Sequence, residues 1–200
     1  MHNDFNGIEK MITIKTLEVA GFAAAVQALR LPFKKECRSQ TTTNIMVDEE
    51  GVIENPYIGY ASKVDFDPKD LHLMSTLIKR GDEHSKVIRG IVAHIEIEAP
   101  IWFYRELETY NVGRTRMSCE STMHCECRGL SGEELEKAKD EIPMGHIQKT
   151  VDMVSYQTLR RVYIQRRNHR LPMWKTFCSW IESLPFAKQL ILVGLEETKQ

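Results

Sequence analysis

The spacing of apolar and polar residues changes along this chain, and each change predicts a different element. Residues 11–19, MITIKTLEV, alternate with a period of two, which predicts a β-strand. Residues 21–33, GFAAAVQALRLPF, instead place apolar side chains on one face of a helix that should stop near Pro32. Residues 91–98 return to alternation, with isoleucine or alanine at every second position, and predict a strand with one buried face.

Helix boundary signals divide the middle of the chain. Asp67 followed by Pro68 predicts a helix start, because the carboxylate can cap the helix and proline lacks an N–H that would have no partner there. Gly81 suits the position just after the end of that helix. Pro100 opens a second helix rich in aromatic residues, which should end by Gly113.

The second half of the chain shows mostly helical spacing. Ser131 and Glu134 have the spacing of a capping box before a short helix. Residues 146–169 carry the longest helical pattern, and Pro172 starts another helix. We therefore predict an α+β fold, with a small, mainly antiparallel, N-terminal sheet wrapped by helices.

No repeat, low-complexity tract or linker divides the sequence. We predict one domain over residues 11–200, preceded by a loose leader at residues 1–10. Residues 37–62 are the least regular part. Within them SQTTTN suits a polar loop, and VIENPYIGYAS is either irregular or holds a short edge strand.

Composition narrows the classes of function. The chain has 200 residues, of which 42% are hydrophobic and 28% charged, as in an ordinary globular protein. A net charge of -1 provides no general attraction for nucleic acid, so any anion site must be local. No apolar run approaches the roughly 20 residues of a membrane span. Five cysteines without scaffold spacing favour a reducing compartment, and hence the cytoplasm.

A first polar cluster lies between the helix that ends at Gly81 and the following strand. It consists of His84, Ser85, Lys86 and Arg89. If Ser85 caps a short helix, its backbone amides and Lys86 could hold a phosphate. The alternative is a solvated turn with ordinary surface charges.

A second cluster combines arginines and hydroxyls near several aromatic residues. Its members are Arg105, Arg114, Arg116, Ser118, Ser121 and His124. Arginine binds phosphate through paired hydrogen bonds, and serine hydroxyls can complete such a site. Tyr104 and Tyr110 could stack on a base or a flavin ring. The alternative is a helix end with exposed arginines, and tyrosines in the core or in a subunit interface.

A third cluster makes the end of the predicted long helix basic. It contains Arg160, Arg161, Arg166, Arg167, Asn168, His169 and Arg170. Basic residues commonly offset the dipole at a helix C-terminus. The density of this cluster also suits an anionic partner or a subunit contact. RNA binding is disfavoured, because the chain lacks a basic pI and interleaved aromatic residues.

A metal site is disfavoured. Cys119, His124, Cys125 and Cys127 are ligand types that suit zinc. However, Cys-x-Cys is a poor tetrahedral chelate, and no second ligand pair follows at the usual spacing. A thiol nucleophile at Cys119 has no evident orienting group. The phosphate-binding and hydrolase glycine motifs do not occur.

Four segments resemble, in order, the flavin-dependent thymidylate synthase family. DLHLMSTLIKRGDEHSK and AHIEIEAPIW resemble the helix, turn and core strand of the family. RTRMSCESTMH stands where the family has RHRxxSxNExSxRY, and SYQTLRRVYIQRRNHRLPMW resembles its late helix. The HSK turn, STMH and the WIESLP tail are most similar to phage-encoded members.

This resemblance implies a homotetramer in which FAD relays a hydride while a folate supplies carbon to dUMP. It implies nucleotide binding by Arg114, Ser118, Ser121 and His124, together with Arg166 or Arg167 of the late helix. We add Arg105 and Arg116 to this group from their positions. We assign His84, Ser85, Lys86, Arg89, Asn168 and His169 to the cofactor.

Departures from the family motif leave two alternatives open. The RHR triplet is replaced by TYN or NVG, the final Arg-Tyr by Met123-His124, and the early Glu-His pair by Arg89-Gly90. A non-redox protein that binds or sequesters a nucleotide on the same fold is the first alternative. A purely structural oligomer is the second.

Overall fold

A computed structural model of the protein describes residues 12–33, 42–44, 60–61 and 63–195. The strands are β1 Thr13–Ala20, β2 Thr42–Asn44, β3 Tyr60–Ala61, β4 Lys63–Asp65, β5 Val92–Pro100, β6 Arg114–Cys119 and β7 Ile147–Ser155. The α-helices are α1 Phe22–Arg30, α2 Pro68–Lys79, α3 Ile101–Leu107, α4 Gly132–Asp140, α5 Tyr156–Arg166, α6 Pro172–Glu182 and α7 Ala187–Leu190. Short 3₁₀ helices occupy Leu31–Phe33, Ser85–Arg89 and Glu108–Tyr110.

The main sheet has five strands in the order β3-β1-β5-β7-β6. Strand β1 pairs with β3 in parallel, and the other neighbours in this sheet are antiparallel. A separate two-stranded antiparallel sheet joins β2 to β4. The predicted α+β class with a mainly antiparallel sheet is confirmed.

One face of the sheet carries the core. Ile95 and Ile97 of β5 and Val154 of β7 lie beside Leu159 of α5 and Phe177 of α6, and all five are buried. The opposite face of β5 presents a histidine and two glutamates at the alternate positions. Because successive strand residues point to opposite faces, this strand separates the core from a charged surface.

The boundaries read from local signals are confirmed. The Asp67 carboxylate accepts a hydrogen bond from the Lys69 amide at 2.9 Å at the start of α2. Gly81 has φ +119°, a left-handed conformation that suits glycine just after a helix. The short β3 lies at the edge of the sheet, where the sequence left a choice between irregular chain and an edge strand.

The prediction of one long helix over residues 146–169 is wrong. This region contains β7 and then α5, with Ser155 as the junction. The Ser155 hydroxyl accepts a hydrogen bond from the Thr158 amide at 3.2 Å, which caps α5. Ile147, Val151 and Val154 fit a helical spacing, but β7 buries alternate residues such as Thr150 and Asp152, so a period of two prevails.

Three smaller predictions also fail. SQTTTN was predicted as a polar loop, but its residues Thr42–Asn44 form β2, which pairs with β4. The Arg- and Ser-rich stretch after Gly113 was not predicted as a strand, but it begins with β6, which lies at one edge of the sheet. The sheet therefore draws two strands from the second half of the chain. Ser131 precedes α4 without a side-chain capping hydrogen bond, so no capping box forms. The predicted leader at residues 1–10 lies outside the described residues.

Among the described residues, no helix is both long enough and apolar enough to span a membrane.

Candidate functional site

Arg114 is held inside the protein by Asp152. Its Nε donates to the Asp152 carboxylate at 2.6 Å, and its Nη2 contacts the same oxygen. A further hydrogen bond of 3.1 Å joins Nη1 to Asn111. The side chains of Arg114 and Asp152 are 3% and 0% exposed. This guanidinium is therefore engaged within its own chain.

Arg116 is the arginine of β6 that reaches the surface. Its side chain is 31% exposed, with Nη1 at 3.1 Å from Glu108 and Nε at 3.9 Å from Asp152 Oδ1. The guanidinium lies over the Tyr104 ring, 5.1 Å from the centroid. Asp152 Oδ1 is buried and accepts no hydrogen bond from the described residues. Arg116 therefore covers a buried carboxylate and retains donors for a ligand.

The other members of the second cluster do not share one surface. A bulge separates Arg116, which pairs with Asp152, from Ser118, which pairs with Val151. Since Asp152 and Val151 are successive residues of β7, Arg116 and Ser118 lie on opposite faces of the sheet. Ser121 is partly buried, and the His124 amide donates to its carbonyl at 3.0 Å. Arg105 is exposed on α3.

Most arginines of the third cluster are bound to neighbouring segments. Arg160 is buried and donates to the Ile191 and Val193 carbonyls. Arg161 Nε donates to Asp82 at 2.8 Å. These contacts fasten α5 to the chain around α2 and α7, which explains much of the basic cluster without an external anion.

Arg166 is packed between aromatic rings. Its Cζ lies 4.6 Å from the Trp174 ring centroid and 5.6 Å from that of Tyr110. Nε donates to the Tyr110 hydroxyl at 2.9 Å, and Nη1 approaches Glu106 at 3.4 Å. Such stacking contributes about 0.5–2 kcal/mol per contact. Of the two late-helix arginines, Arg166 is thus the structural one.

Arg167 borders a cavity between the end of α5 and α6. The cavity has a volume of about 440 Å³. Polar lining side chains are Tyr163, Arg167, Asn168, Lys175, Ser179 and Glu182. Arg167 Nη1 donates to the Leu195 carbonyl at 3.0 Å, which leaves its other nitrogens available. His169 is not among the lining residues, and its Nδ1 accepts a hydrogen bond from the Leu171 amide at 3.2 Å.

The residues of the first cluster lie in or just before the 3₁₀ helix at Ser85–Arg89, and they form two groups with different surroundings. Ser85 is fully buried and receives a hydrogen bond of 3.2 Å from Gln157. Arg89 Nε donates to the Gln157 side chain at 2.7 Å. His84 and Lys86 instead line an open groove of about 460 Å³ between α1 and α2. Its walls are apolar, formed chiefly by Ala24, Ala28, Leu73 and Leu77.

The predicted residues therefore occupy separate places within one protomer. Gln157, which holds Ser85 and Arg89, precedes Arg167 by ten residues, or about 15 Å along α5. Arg114 packs beside Thr158, roughly 13 Å along the same helix from Arg167. The groove, the surface around Arg116 and Glu108 (the β6 surface) and the α5–α6 cavity have no residue in common.

Burial shifts the pKa values of several side chains, of which three lie beside the places described above. Burial raises the pKa of Tyr104 to about 12; the Asp152 charge adds to this, while Thr150 and Arg116 act in the opposite direction. Burial, followed by a hydrogen bond and the charge of Glu182, raises the pKa of Tyr163 to about 12. Burial likewise raises the pKa of Cys178 to about 11. All three groups stay protonated near neutral pH, so Cys178 is a poor nucleophile.

Sequence reasoning missed several residues that organise these places. Asp152 was missed because residues 146–169 were predicted as a helix. The signal that could have revealed it was the alternation through Thr150, Asp152 and Val154, which is typical of a strand. Lys175, Ser179 and Glu182 recur at helical spacing on α6 and could have been recognised as one polar stripe. Gln157 carried no sequence signal, because its partners are distant in the chain.

Comparison with solved structures identifies the fold. Thymidylate Synthase X (ThyX) from Helicobacter pylori, crystallised with FAD and dUMP, matches with a TM-score of 0.65 and 13% identity, over 94% of this chain and all of that chain. A second structure of that flavin-dependent enzyme with FAD and dUMP gives 0.60 and 13%, over 89% and 96%. The fold is that of flavin-dependent thymidylate synthase.

A third solved structure extends the likeness. The UMP/dUMP methylase PolB from Streptomyces cacaoi, bound with 5-Br dUMP, matches with a TM-score of 0.59 and 14% identity, over 92% of this chain and 93% of that chain. No family model and no curated protein matches the sequence. Because the sequence identities are only 13% or 14%, these three matches show a shared fold.

Proposed function

We propose that this protein binds a pyrimidine nucleotide of the dUMP type and uses FAD in a one-carbon transfer to its base. The observation that carries the proposal is the extent of the fold match. It covers 94% of this chain and the whole of a thymidylate synthase crystallised with FAD and dUMP. A methylase of UMP and dUMP has the same fold. The resemblance of ordered sequence segments is an independent reason for the same conclusion.

The nucleotide phosphate would be held by Arg116, and Ser121 and His124 would contribute from the chain that follows β6. Arg116 retains free donors, and its single strong contact, with the half-exposed Glu108, can be exchanged for a phosphate. Arg114 would act through Asp152, because this buried pair fixes β6 against β7.

The α1–α2 groove is the place that best fits part of FAD. Apolar walls suit the face of a ring system, and His84 and Lys86 provide cations at the rim. A volume of about 460 Å³ accommodates one half of a dinucleotide. The bound flavin would supply hydride transfer. His84 and Lys86 would bind and orient an anionic part of it.

Self-association would bring the separated places together. The β6 surface, the groove and the α5–α6 cavity lie apart in one protomer, so a complete site requires contributions from more than one copy. We accordingly propose a cytoplasmic homotetramer with nucleotide sites shared between subunits. Size-exclusion chromatography with light scattering should give four times the mass of the 23.2 kDa chain.

A visible absorption spectrum and a thermal-shift series test the proposal. The purified protein, incubated with FAD and freed of excess, should retain yellow flavin absorbance. A nucleotide at one hundred times its Kd contributes about 2.7 kcal/mol, or a rise in Tm of roughly 5–10 °C for a chain of this size. Arg116→Ala should lose most of the dUMP-induced shift, whereas Lys188→Ala, an exposed change on α7, should keep it. Absence of both flavin uptake and any nucleotide shift would refute the proposal.

A non-redox nucleotide-binding protein is the second candidate. The observation in its favour is the replacement of the RHR triplet and of the final Arg-Tyr of the family motif. A colourless protein that is stabilised by nucleotides but never by flavins would establish this alternative.

A further inference from the structure

The α5–α6 cavity combines cationic hydrogen-bond donors, from Arg167 and Lys175, with the acceptor carboxylate of Glu182. On α6, Lys175, Ser179 and Glu182 follow the spacing i, i+4, i+7 and so lie along one face. On the α5 side, Tyr163 and Arg167 are four residues apart and line the opposite wall. With a volume of about 440 Å³, the cavity has the size of a small-molecule site.

Side chains in this cavity have unused hydrogen-bonding capacity. Lys175, Asn168 and Ser179 make no side-chain hydrogen bond within the part of the chain that the structure describes. Neighbouring basic residues differ, since Arg160 and Arg161 are bound to carbonyls or a carboxylate. A cavity that gathers free donors, beside Arg160 and Arg161 that are bound within the chain, is suited to an anionic ligand.

The two ends of the cavity have opposite chemistry. Helices α5 and α6 are joined by the short turn after Arg167, so Lys175 lies near that arginine and near Asn168. At the other end, Tyr163 donates to Glu182 Oε1 at 2.7 Å. Seven residues separate Lys175 from Glu182, or about 10 Å along α6. An extended mononucleotide separates its phosphate from the exocyclic group of its base by a comparable length.

Glu182 determines which base fits. Its Oε1 is occupied by the Tyr163 hydroxyl, which stays protonated at neutral pH, while Oε2 accepts no hydrogen bond from the described residues. A carboxylate oxygen accepts from the exocyclic amino group of cytosine or adenine. At C4 uracil and thymine carry the O4 carbonyl, a further acceptor that the carboxylate repels, so their only donor on this edge is N3–H.

We propose that this cavity binds a nucleotide with an amino-bearing base, cytosine or adenine, with its phosphate on Arg167 and Lys175 and its amino group on Glu182. The inference depends on the proposed function in taking a nucleotide as the ligand. It goes further by naming the base that the late-helix cavity selects.

Isothermal titration of the full-length Arg116→Ala variant, which lacks the proposed dUMP site at β6, with dCMP and dUMP tests the choice of base, because these nucleotides differ only at C4 and N3 of the base. The cavity should bind dCMP at least about tenfold more tightly than dUMP, the usual effect of one hydrogen bond to a charged group. AMP and FAD, titrated in parallel, distinguish a cytosine ligand from an adenine ligand.

Two variants locate the effect. Glu182→Gln replaces an acceptor oxygen with an amide that can donate to O4, so the preference for dCMP over dUMP should vanish or reverse. Lys175→Ala should weaken both nucleotides by a similar factor, since both carry the same phosphate. Lys188→Ala, on α7 and away from the cavity, is the matched control and should leave both affinities unchanged. Far-ultraviolet circular dichroism checks that each variant is folded.

The outcomes separate this inference from the proposed function. Equal binding of dCMP and dUMP, or a base preference unaffected by Glu182→Gln, overturns the inference and leaves flavin-dependent chemistry at the β6 surface intact. Selective dCMP or AMP binding that Glu182→Gln abolishes, in a protein that takes up no flavin, supports the inference while the proposed chemistry fails.

Discussion

The buried pair of Arg114 and Asp152 gives the sharpest prediction for stability. Asp152→Asn keeps the shape of the side chain but removes its charge, so the Arg114 guanidinium, 3% exposed, becomes an unpaired cation in the core. Removing one partner of a buried pair costs about 3–5 kcal/mol, a large part of the roughly 5–15 kcal/mol by which a domain is stable. For a chain of this size Tm should fall by roughly 6–20 °C.

Thermal unfolding followed by circular dichroism measures the loss. Glu108→Gln is the matched control, because it removes the exposed partner of Arg116 and should change stability by at most about 1 kcal/mol. The double variant Arg114→Met with Asp152→Leu removes both charges and should recover much of the loss. If Asp152→Asn lowers Tm by less than the roughly 2 °C that 1 kcal/mol produces, the account of Arg114 as a paired interior cation is refuted.

Two further predictions concern a glycine contact and the effect of alkaline pH. Gly21→Ala should lower the free energy of unfolding by more than about 1 kcal/mol, because φ is +95° and the added Cβ would lie 1.9 Å from the Gly90 carbonyl oxygen. Gly129→Ala is the control, since φ is +83° but the added Cβ meets no atom, and it should lose less stability in the same urea titration. Tyr104 and Tyr163 titrate near 12 in the folded protein against 10.0 ordinarily, so the native state keeps protons that the unfolded chain loses. Their contribution is present below pH 10.0 and lost as pH rises towards 12; a Tm independent of pH over this interval would contradict it.

Local sequence signals were sufficient to predict an element boundary wherever a single residue fixes the backbone conformation. Asp67 with Pro68 and the following Gly81 bounded α2, because capping and left-handed glycine act over a few residues. The alternation in β5 was equally clear, since one face of that strand is buried throughout. These effects depend on residues close in the sequence, and they can therefore be predicted without knowledge of the fold.

The region 146–169 shows where local pattern fails. Its apolar residues suit a helix and a strand almost equally, and the choice was made by pairing with β5 and β6 on either side. Hydrogen bonds to two neighbouring strands outweigh intrinsic propensity, which is a weak preference. Asp152 could then be recognised as the buried partner of Arg114 only when β6 and β7 were aligned.

The sequence by itself determined the α+β class, most element boundaries, and the presence of more arginines and hydroxyls than a core requires. Only the tertiary structure decided which arginines are free. Arg114, Arg160 and Arg166 are engaged within the chain, while Arg116 and Arg167 keep donors at the surface. The reason is physical. Every arginine carries the same guanidinium group, but its role depends on the carboxylates, carbonyls and aromatic rings that folding brings next to it from distant segments.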